Sequence, residues 1–301
     1  MNRQIFIWVS ALRLRTLPLA LSTVGLGAFL AWFDGEQNWT VVALAMLTTL
    51  LLQVLANLAN DYGDSSHGVD NHHRVGPKRA VQSGAITPRR MKTAIIICAI
   101  LAAGAGLPLV FIALNGENSA VKIFFYLLGL LAIISAVKYT IGRNPYGYYG
   151  LGDLSVFFFF GPVGVMGTYF LITHQFEPIV LLPSAAVGFL SVAVLNLNNI
   201  RDHDSDALSG KNTLVVRIGV GAAKIYHMVL IALSVLFGVV HVVLNYHSPL
   251  QLFFLVSVPF FWMNVYGVFH QTIPAQVDPY LKRLAMATLL FSVAFGIGLV
   301  L

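Results

Sequence analysis

Nine stretches of apolar residues, each close to the ~20 residues that an α-helix needs to cross a bilayer, divide this 301-residue chain. They run over 16–33, 40–59, 93–114, 121–137, 154–173, 178–197, 225–244, 250–269 and 284–301. Hydrophobic residues make up 57% of the chain and charged residues 10%, against about 25% in soluble domains. Apolar runs also form core helices of soluble proteins, but nine of them joined by short polar links leave too little polar surface to cover such a core. The expected fold class is an all-α integral membrane protein with nine transmembrane helices, forming one membrane domain over 1–301.

Basic residues give the expected orientation, because short loops rich in Lys and Arg stay cytoplasmic. Arg3, Arg13 and Arg15 precede the first stretch, Lys78, Arg79, Arg89 and Arg90 follow the second, and Lys138 and Arg143 follow the fourth. Arg201, Lys211 and Arg217 follow the sixth, and Lys282 and Arg283 the eighth. All of these fall on one side, whereas the other side holds Lys122 among Asp34, Glu36, Glu117 and Glu177. The N-terminus is then cytoplasmic and the C-terminus outside. Ile5, Phe6, Trp8 and Leu12 among polar neighbours make 1–14 an interfacial amphipathic segment rather than a cleaved leader. The net charge of +6 matches a positive face beside anionic lipid and calls for no nucleic acid. Cys98 is the lone cysteine, so neither a disulfide nor a thiolate metal site is available.

Two clusters of Asp and Asn close the second and sixth stretches. Asn57, Asn60, Asp61 and Asp64 lead on to Asp70, and Asn198, Asn199, Arg201 and Asp202 lead on to Asp206. On a helix Asn57, Asp61 and Asp64 share one face, and Asn198, Asp202 and Asp206 share another. Both clusters sit at helix C-termini, where the macrodipole favours a cation and penalises lone carboxylates. They are either loop and capping residues in water or the ligands of a cation. Oxygen donors without Cys or spaced His point to Mg²⁺, which bridges carboxylates to substrate phosphates. The cytoplasmic loops 61–92 and 201–224, the longest links, are therefore the expected seat of function.

Cations suited to a diphosphate lie around the clusters: His72, His73, Arg74, Lys78 and Arg79 in one loop, Lys138 and Arg143 in another, Arg201 and Lys211 in a third. Each alone is also an ordinary positive-inside marker. Tyr139 and the Tyr146–Tyr149 run offer aromatic faces for a cation, although tyrosine is common at membrane interfaces in any case. Metal, diphosphate, aromatic wall and bilayer together describe transfer of an allylic lipid cation to an aromatic acceptor. A cation transporter would instead place ionisable groups near mid-span. A phosphoalcohol transferase wants glycine where Ser65 follows Asp64.

These motifs resemble the UbiA-type intramembrane aromatic prenyltransferases, whose members arrange nine helices around a central cavity and bind Mg²⁺ and prenyl diphosphate with two aspartate motifs. The first motif matches at Asn57, Asn60, Asp61 and Asp64, the second at Asp202 and Asp206. Many members carry a further aspartate where this chain has Gly68, with Asp70 beyond it. Gly76-Pro77-x-Arg79, the 145–153 segment ending in Asp153, and Lys211-x-Thr213 resemble the naphthoate branch. The 4-hydroxybenzoate branch carries Tyr-Pro-x-x-Lys-Arg where this chain reads Lys138-Tyr-Thr-Ile-Gly-Arg143.

The resemblance implies polyprenyl diphosphate as donor and 1,4-dihydroxy-2-naphthoate as acceptor, at the cytoplasmic side of a cell inner membrane. It implies Asp61, Asp64, Asp202 and Asp206 as Mg²⁺ ligands, direct or through water, oriented by Asn57, Asn60 and Asn198. Lys78, Arg79, Arg201 and Lys211 would neutralise diphosphate, Arg143 or Lys138 would hold the acceptor carboxylate, and Tyr139 would face the allylic cation. Asp70 or Asp153 would take the phenolic proton.

Overall fold

The computed structural model of the chain describes residues 3–69, 76 and 78–301. Those residues are helical with no strand, and nine helices among them are long and apolar enough to cross a membrane. Helix α1 (Arg3–Leu12) leads into α2 (Leu17–Phe33), followed by α3 (Trp39–Ser66), α4 (Pro88–Ala113) and α5 (Ser119–Lys138). A composite crossing comes next: α6 (Gly152–Phe158), a widened π-type segment (Phe159–Met166), and α7 (Gly167–Thr173). The chain continues through α8 (Leu181–Arg201), α9 (His203–Leu208) and α10 (Leu214–Leu244) to α11 (Val258–His270) and α12 (Asp278–Val300).

Local chemistry sets the helix starts. Asn38 accepts from the Val41 N–H at 3.1 Å ahead of α3, Thr87 caps α4 with Pro88 at its first position, and Thr213 caps α10. Pro162 lies inside the fifth crossing, and the widened turns around it absorb the missing N–H. Close helix approach relies on glycine: a Cβ on Gly27 would lie 2.5 Å from the Val165 carbonyl oxygen, so α2 and the π-type segment meet backbone to backbone.

Several of the sequence-derived boundaries move, those of α3 and α10 among them. α3 continues past 59 to Ser66, and α10 begins at Leu214 rather than 225. In α3 the apolar stretch stops short because the polar residues Asp61 and Asp64 beyond it are buried against protein. Asp61 and Asp64 are accordingly helical residues of α3, whereas Asp202 is the single turn residue between α8 and α9.

At the junction of α1 and α2, Arg13 adopts left-handed backbone angles (φ 51°, ψ 57°), which cost an L-residue roughly 1–2 kcal/mol. Bonds from α3 flank this hinge. Asn57 Nδ2 donates to the Leu12 carbonyl and to Thr16 Oγ1, both at 3.0 Å, and Gln53 donates to the same Thr16 oxygen at 3.0 Å. At the other extreme, α5 has no buried residue along its whole length, whereas most of α8 is buried.

Candidate active site

A cavity of about 660 Å³ opens among the first six crossings, with α12 closing it at the motif end. Its walls are mostly apolar, and its polar lining includes Asn57, Asn60, Asn198, Tyr139 and Tyr146. The two aspartate motifs sit beyond this polar end, at the ends of α3 and α8.

In the first motif every carboxylate is buried and engaged. Asp61 accepts the backbone N–H groups of Ala80 and Val81 at 3.0 and 3.1 Å, one on each oxygen, which pins the following loop to α3. Asp64 accepts from Arg79 at 2.5 Å and from the Tyr148 hydroxyl at 2.7 Å. Arg79 also donates to the Asn60 carbonyl at 2.6 Å. Asn60 Oδ1 accepts from Thr140 at 3.2 Å. Gly63 allows this approach, since a Cβ there would lie 2.5 Å from Thr140 oxygens.

The second motif is organised by Arg201, whose guanidinium is 2% exposed and holds Asp202 bidentately at 2.9 and 2.6 Å. It also reaches Asn198 at 2.8 Å and Asp278 of α12 at 2.5 Å, and Asp278 in turn faces Arg15 at 3.4 Å. Buried charges must be compensated in this way or they unfold the site. Gly76 lies against the same guanidinium, 3.0 Å from where its Cβ would be, so the first loop packs on the second motif.

Lys211 joins the motifs. Its ammonium lies 3.7 Å from Asp64 and 3.6 Å from Asp206, and 5.4 Å from the centroid of the Tyr148 ring. Burial works against that ammonium, but Asp64 and Asp206 more than offset it and raise its pKa. Burial also pushes the Asp206 carboxyl up to about 6, Lys211 pulls it back, and the charges of Asp202 and Asp64 push it further. Asp206 Oδ2 is buried without a hydrogen-bond partner among the described residues.

This geometry decides whether a divalent metal fits. Among the described residues no three acidic, His or Cys side chains gather closely enough to cage an ion. Mg²⁺ does not need such a cage, since it binds through one or two carboxylates and completes its shell with water and substrate phosphate. Asp64 and Asp206 supply that pair, a positive charge already lies between them, and one Asp206 oxygen has spare acceptor capacity. The donor set fits.

Tyr139, which ends α5, stands at the polar end of the cavity, edge-on to Tyr146 at 5.4 Å. Two glycines cage it: a Cβ on Gly147 would lie 2.7 Å from the Tyr139 carbonyl oxygen, and one on Gly152 would lie 2.7 Å from its hydroxyl. Burial, then the nearby Asp153 charge, pushes the Tyr139 phenol up, so it stays neutral. Asp153 itself accepts from Tyr226 and does not line the cavity. Lys78, Lys138 and Arg143 are exposed and do not line it either. Asp70, with His72, His73 and Arg74, falls outside the described residues.

Sequence reasoning missed Tyr148, Asp278 and the cavity cations Arg13, Arg15 and Lys282. Tyr148 was visible only as part of an aromatic run. Asp278 resembled an ordinary first-turn acid of α12, and the three cations resembled topology markers.

Comparison with known proteins agrees with this architecture. The profile of the UbiA prenyltransferase family matches residues 20–279, and the chain belongs to that family. It is 42% identical over 294 residues to the 1,4-dihydroxy-2-naphthoate octaprenyltransferase of Escherichia coli K12, covering 98% of this chain and 95% of the relative. It is 39% identical over 302 residues to the enzyme of that name from Haemophilus influenzae, covering 100% and 97%. Among solved structures, a UbiA homologue from Aeropyrum pernix K1 superposes with a TM-score of 0.71 at 14% identity, covering 95% of this chain and 98% of that one. A homologue from Archaeoglobus fulgidus bound to DMAPP and Mg²⁺ gives 0.62 at 16% identity, with the same coverage.

Proposed function

We propose that this protein transfers a polyprenyl group from polyprenyl diphosphate to 1,4-dihydroxy-2-naphthoate, releasing diphosphate and CO₂ and yielding demethylmenaquinone. The observation that carries this reading is the Lys211 bridge between Asp64 and Asp206, set at the polar end of an apolar cavity walled by Tyr139. The names of the two relatives above supply the acceptor class, and the ligands of the Archaeoglobus homologue supply the allylic diphosphate and the metal.

Asp64 and Asp206 hold Mg²⁺ directly in this scheme, with Asp61 and Asp202 reaching it through water. Bound Mg²⁺ draws negative charge onto the leaving diphosphate and so eases ionisation of the allylic C–O bond. Lys211, Arg79, Arg201 and Lys78 neutralise the diphosphate, and Asn57, Asn60 and Asn198 orient it at the polar end. The apolar walls keep water from the allylic cation, and the neutral face of Tyr139 stabilises it. Asp153 or Asp70 accepts the phenolic proton. In this reading the site lies on the cytoplasmic side of the cell inner membrane, with the N-terminus inside and the C-terminus outside, which the one-sided distribution of basic loops supports.

The test is prenyl transfer by isolated membranes supplied with Mg²⁺, donor and either acceptor, following CO₂ release. Prenylated naphthoquinol with stoichiometric CO₂ is expected. Preference for 4-hydroxybenzoate, or ion flux without a prenylated product, would overturn the assignment.

A further inference from the structure

The aromatic acceptor of the reaction proposed above carries two hydroxyls as well as a carboxylate. The 1-hydroxyl sits beside that carboxylate and bonds to it within the molecule. The 4-hydroxyl has no such neighbour, so it needs an acceptor from the protein once it enters an apolar cavity. Thr23, Thr48, Thr168 and Ser191 line the cavity, but each hydroxyl is turned back onto a carbonyl of its own helix, at 2.7–2.9 Å. Gln53 is held differently.

Gln53 precedes Asn60 on α3 by about two turns, or about 10 Å along the axis, which sets it on the cavity wall beyond the layer of the motifs. Its amide is oriented by the turn ahead of α2. Thr16 Oγ1 donates to the Arg13 carbonyl at 3.0 Å and receives Gln53 Nε2 and Asn57 Nδ2, each at 3.0 Å. One proton and two lone pairs exhaust a hydroxyl, so neither amide can turn over without setting oxygen against oxygen. Asn57 is fixed a second time, because the same nitrogen donates to the Leu12 carbonyl at 3.0 Å. Gln53 therefore keeps its nitrogen on the hinge and carries Oε1 as a neutral acceptor of fixed orientation. Asn57, one turn nearer the motifs, has both amide hydrogens committed and reaches the diphosphate through water or metal. Among the described residues no Asp or Glu lines the cavity, so an acidic ring beside Gln53 meets no like charge on that wall.

We propose that Gln53 Oε1 receives the 4-hydroxyl of the aromatic acceptor and so makes Gln53 a determinant of preference for a dihydroxylated ring. The hinge before α2 is then part of substrate recognition, since it decides which end of the amide meets the ligand. A site built to satisfy a substrate hydroxyl rejects the analogue that lacks it, because its own polar group is left unpaired. This inference rests on the transferase reading and adds to it the side chain that reads the acceptor's second hydroxyl.

Prenyl transfer by membranes carrying Gln53→Leu tests it. KM for 1,4-dihydroxy-2-naphthoate is expected to rise about tenfold, the cost of leaving a buried hydroxyl unsatisfied. KM for polyprenyl diphosphate should stay within about twofold. Competition by 1-hydroxy-2-naphthoate, which lacks the 4-hydroxyl, separates recognition from packing: its inhibition constant should also stay within about twofold of wild type, whereas loosened packing would weaken both ring ligands alike. Equal losses for the two ligands, or an unchanged acceptor KM, overturn the proposal. If Gln53→Leu fails to accumulate in membranes, Gln53→Met, closer to glutamine in length, decides by the same two measurements. Absence of transfer by wild-type membranes would defeat the underlying reading instead.

Discussion

In the first aspartate motif Asp61 spends both oxygens on the amides of Ala80 and Val81, and Asp64 is gripped by Arg79 and Tyr148. In the second motif Arg201 takes Asp202, while Asp206 meets Lys211 through one oxygen and, among the described residues, leaves the other without a hydrogen-bond partner. Similar residues at similar spacing thus divide into anchors, Asp61 and Asp202, and a facing pair, Asp64 and Asp206. An aspartate-rich motif of this kind is half scaffold: one carboxylate in each copy holds backbone or guanidinium in place so that the other can meet its counterpart.

Removing the metal should have the largest effect. Chelation is expected to abolish transfer, and calorimetry should find Mg²⁺ bound weakly alone and far more tightly with inorganic diphosphate present, because two carboxylates fill only a minor part of its octahedral shell. Tight binding without diphosphate would mean a preformed cage and would break the distinction. Next, Asp64→Asn and Asp206→Asn should each cut kcat/KM by about 10²–10³-fold, the usual cost of losing one charge-stabilising group. The two should part company in detergent unfolding. Asp64→Asn leaves Arg79 and Lys211 buried and short of charge, with a loss of about 3–5 kcal/mol, whereas Asp206→Asn costs clearly less.

The anchors rank below the pair. Asp61→Asn should cost about 1–3 kcal/mol, since one of two buried N–H groups loses its acceptor. It should also speed proteolysis between 78 and 87, with a smaller drop in transfer than Asp64→Asn. Equal catalytic losses would show Asp61 to be a direct ligand. Smallest of all, Arg143→Gln and Lys138→Gln should shift stability by less than about 0.5 kcal/mol, as exposed substitutions do, and leave acceptor KM nearly unchanged.

Much of this architecture was legible because the bilayer imposes a length on each apolar stretch, which is a property of short windows. The motif spacing was legible for the same reason, as i and i+4 neighbours on α3 meet whatever surrounds them. Partner choice was not. Asp278 bonds to Arg201 from 77 positions away, and nothing local distinguishes it from an acid that merely favours a helix N-terminus. Arg13, Arg15 and Lys282 carry the same letters as the loop cations, so only the fold shows that they line the cavity. The end of α3 was hidden because hydropathy reports contact with lipid, and the polar residues of its last turns are buried against protein.

The lack of any buried residue on α5 bears on how this protein must be handled. A helix that lines the cavity yet is nowhere covered by protein leaves lipid to complete its outer side, which would make the dryness of the cavity a joint property of polypeptide and bilayer. Extraction into a short-chain detergent is expected to loosen that wall and admit water, turning a transferase into a hydrolase of its own donor. The diagnostic is the ratio of free prenyl alcohol to prenylated product, which should fall again when the protein is returned to liposomes. For this chain, the membrane mimetic belongs among the reaction components.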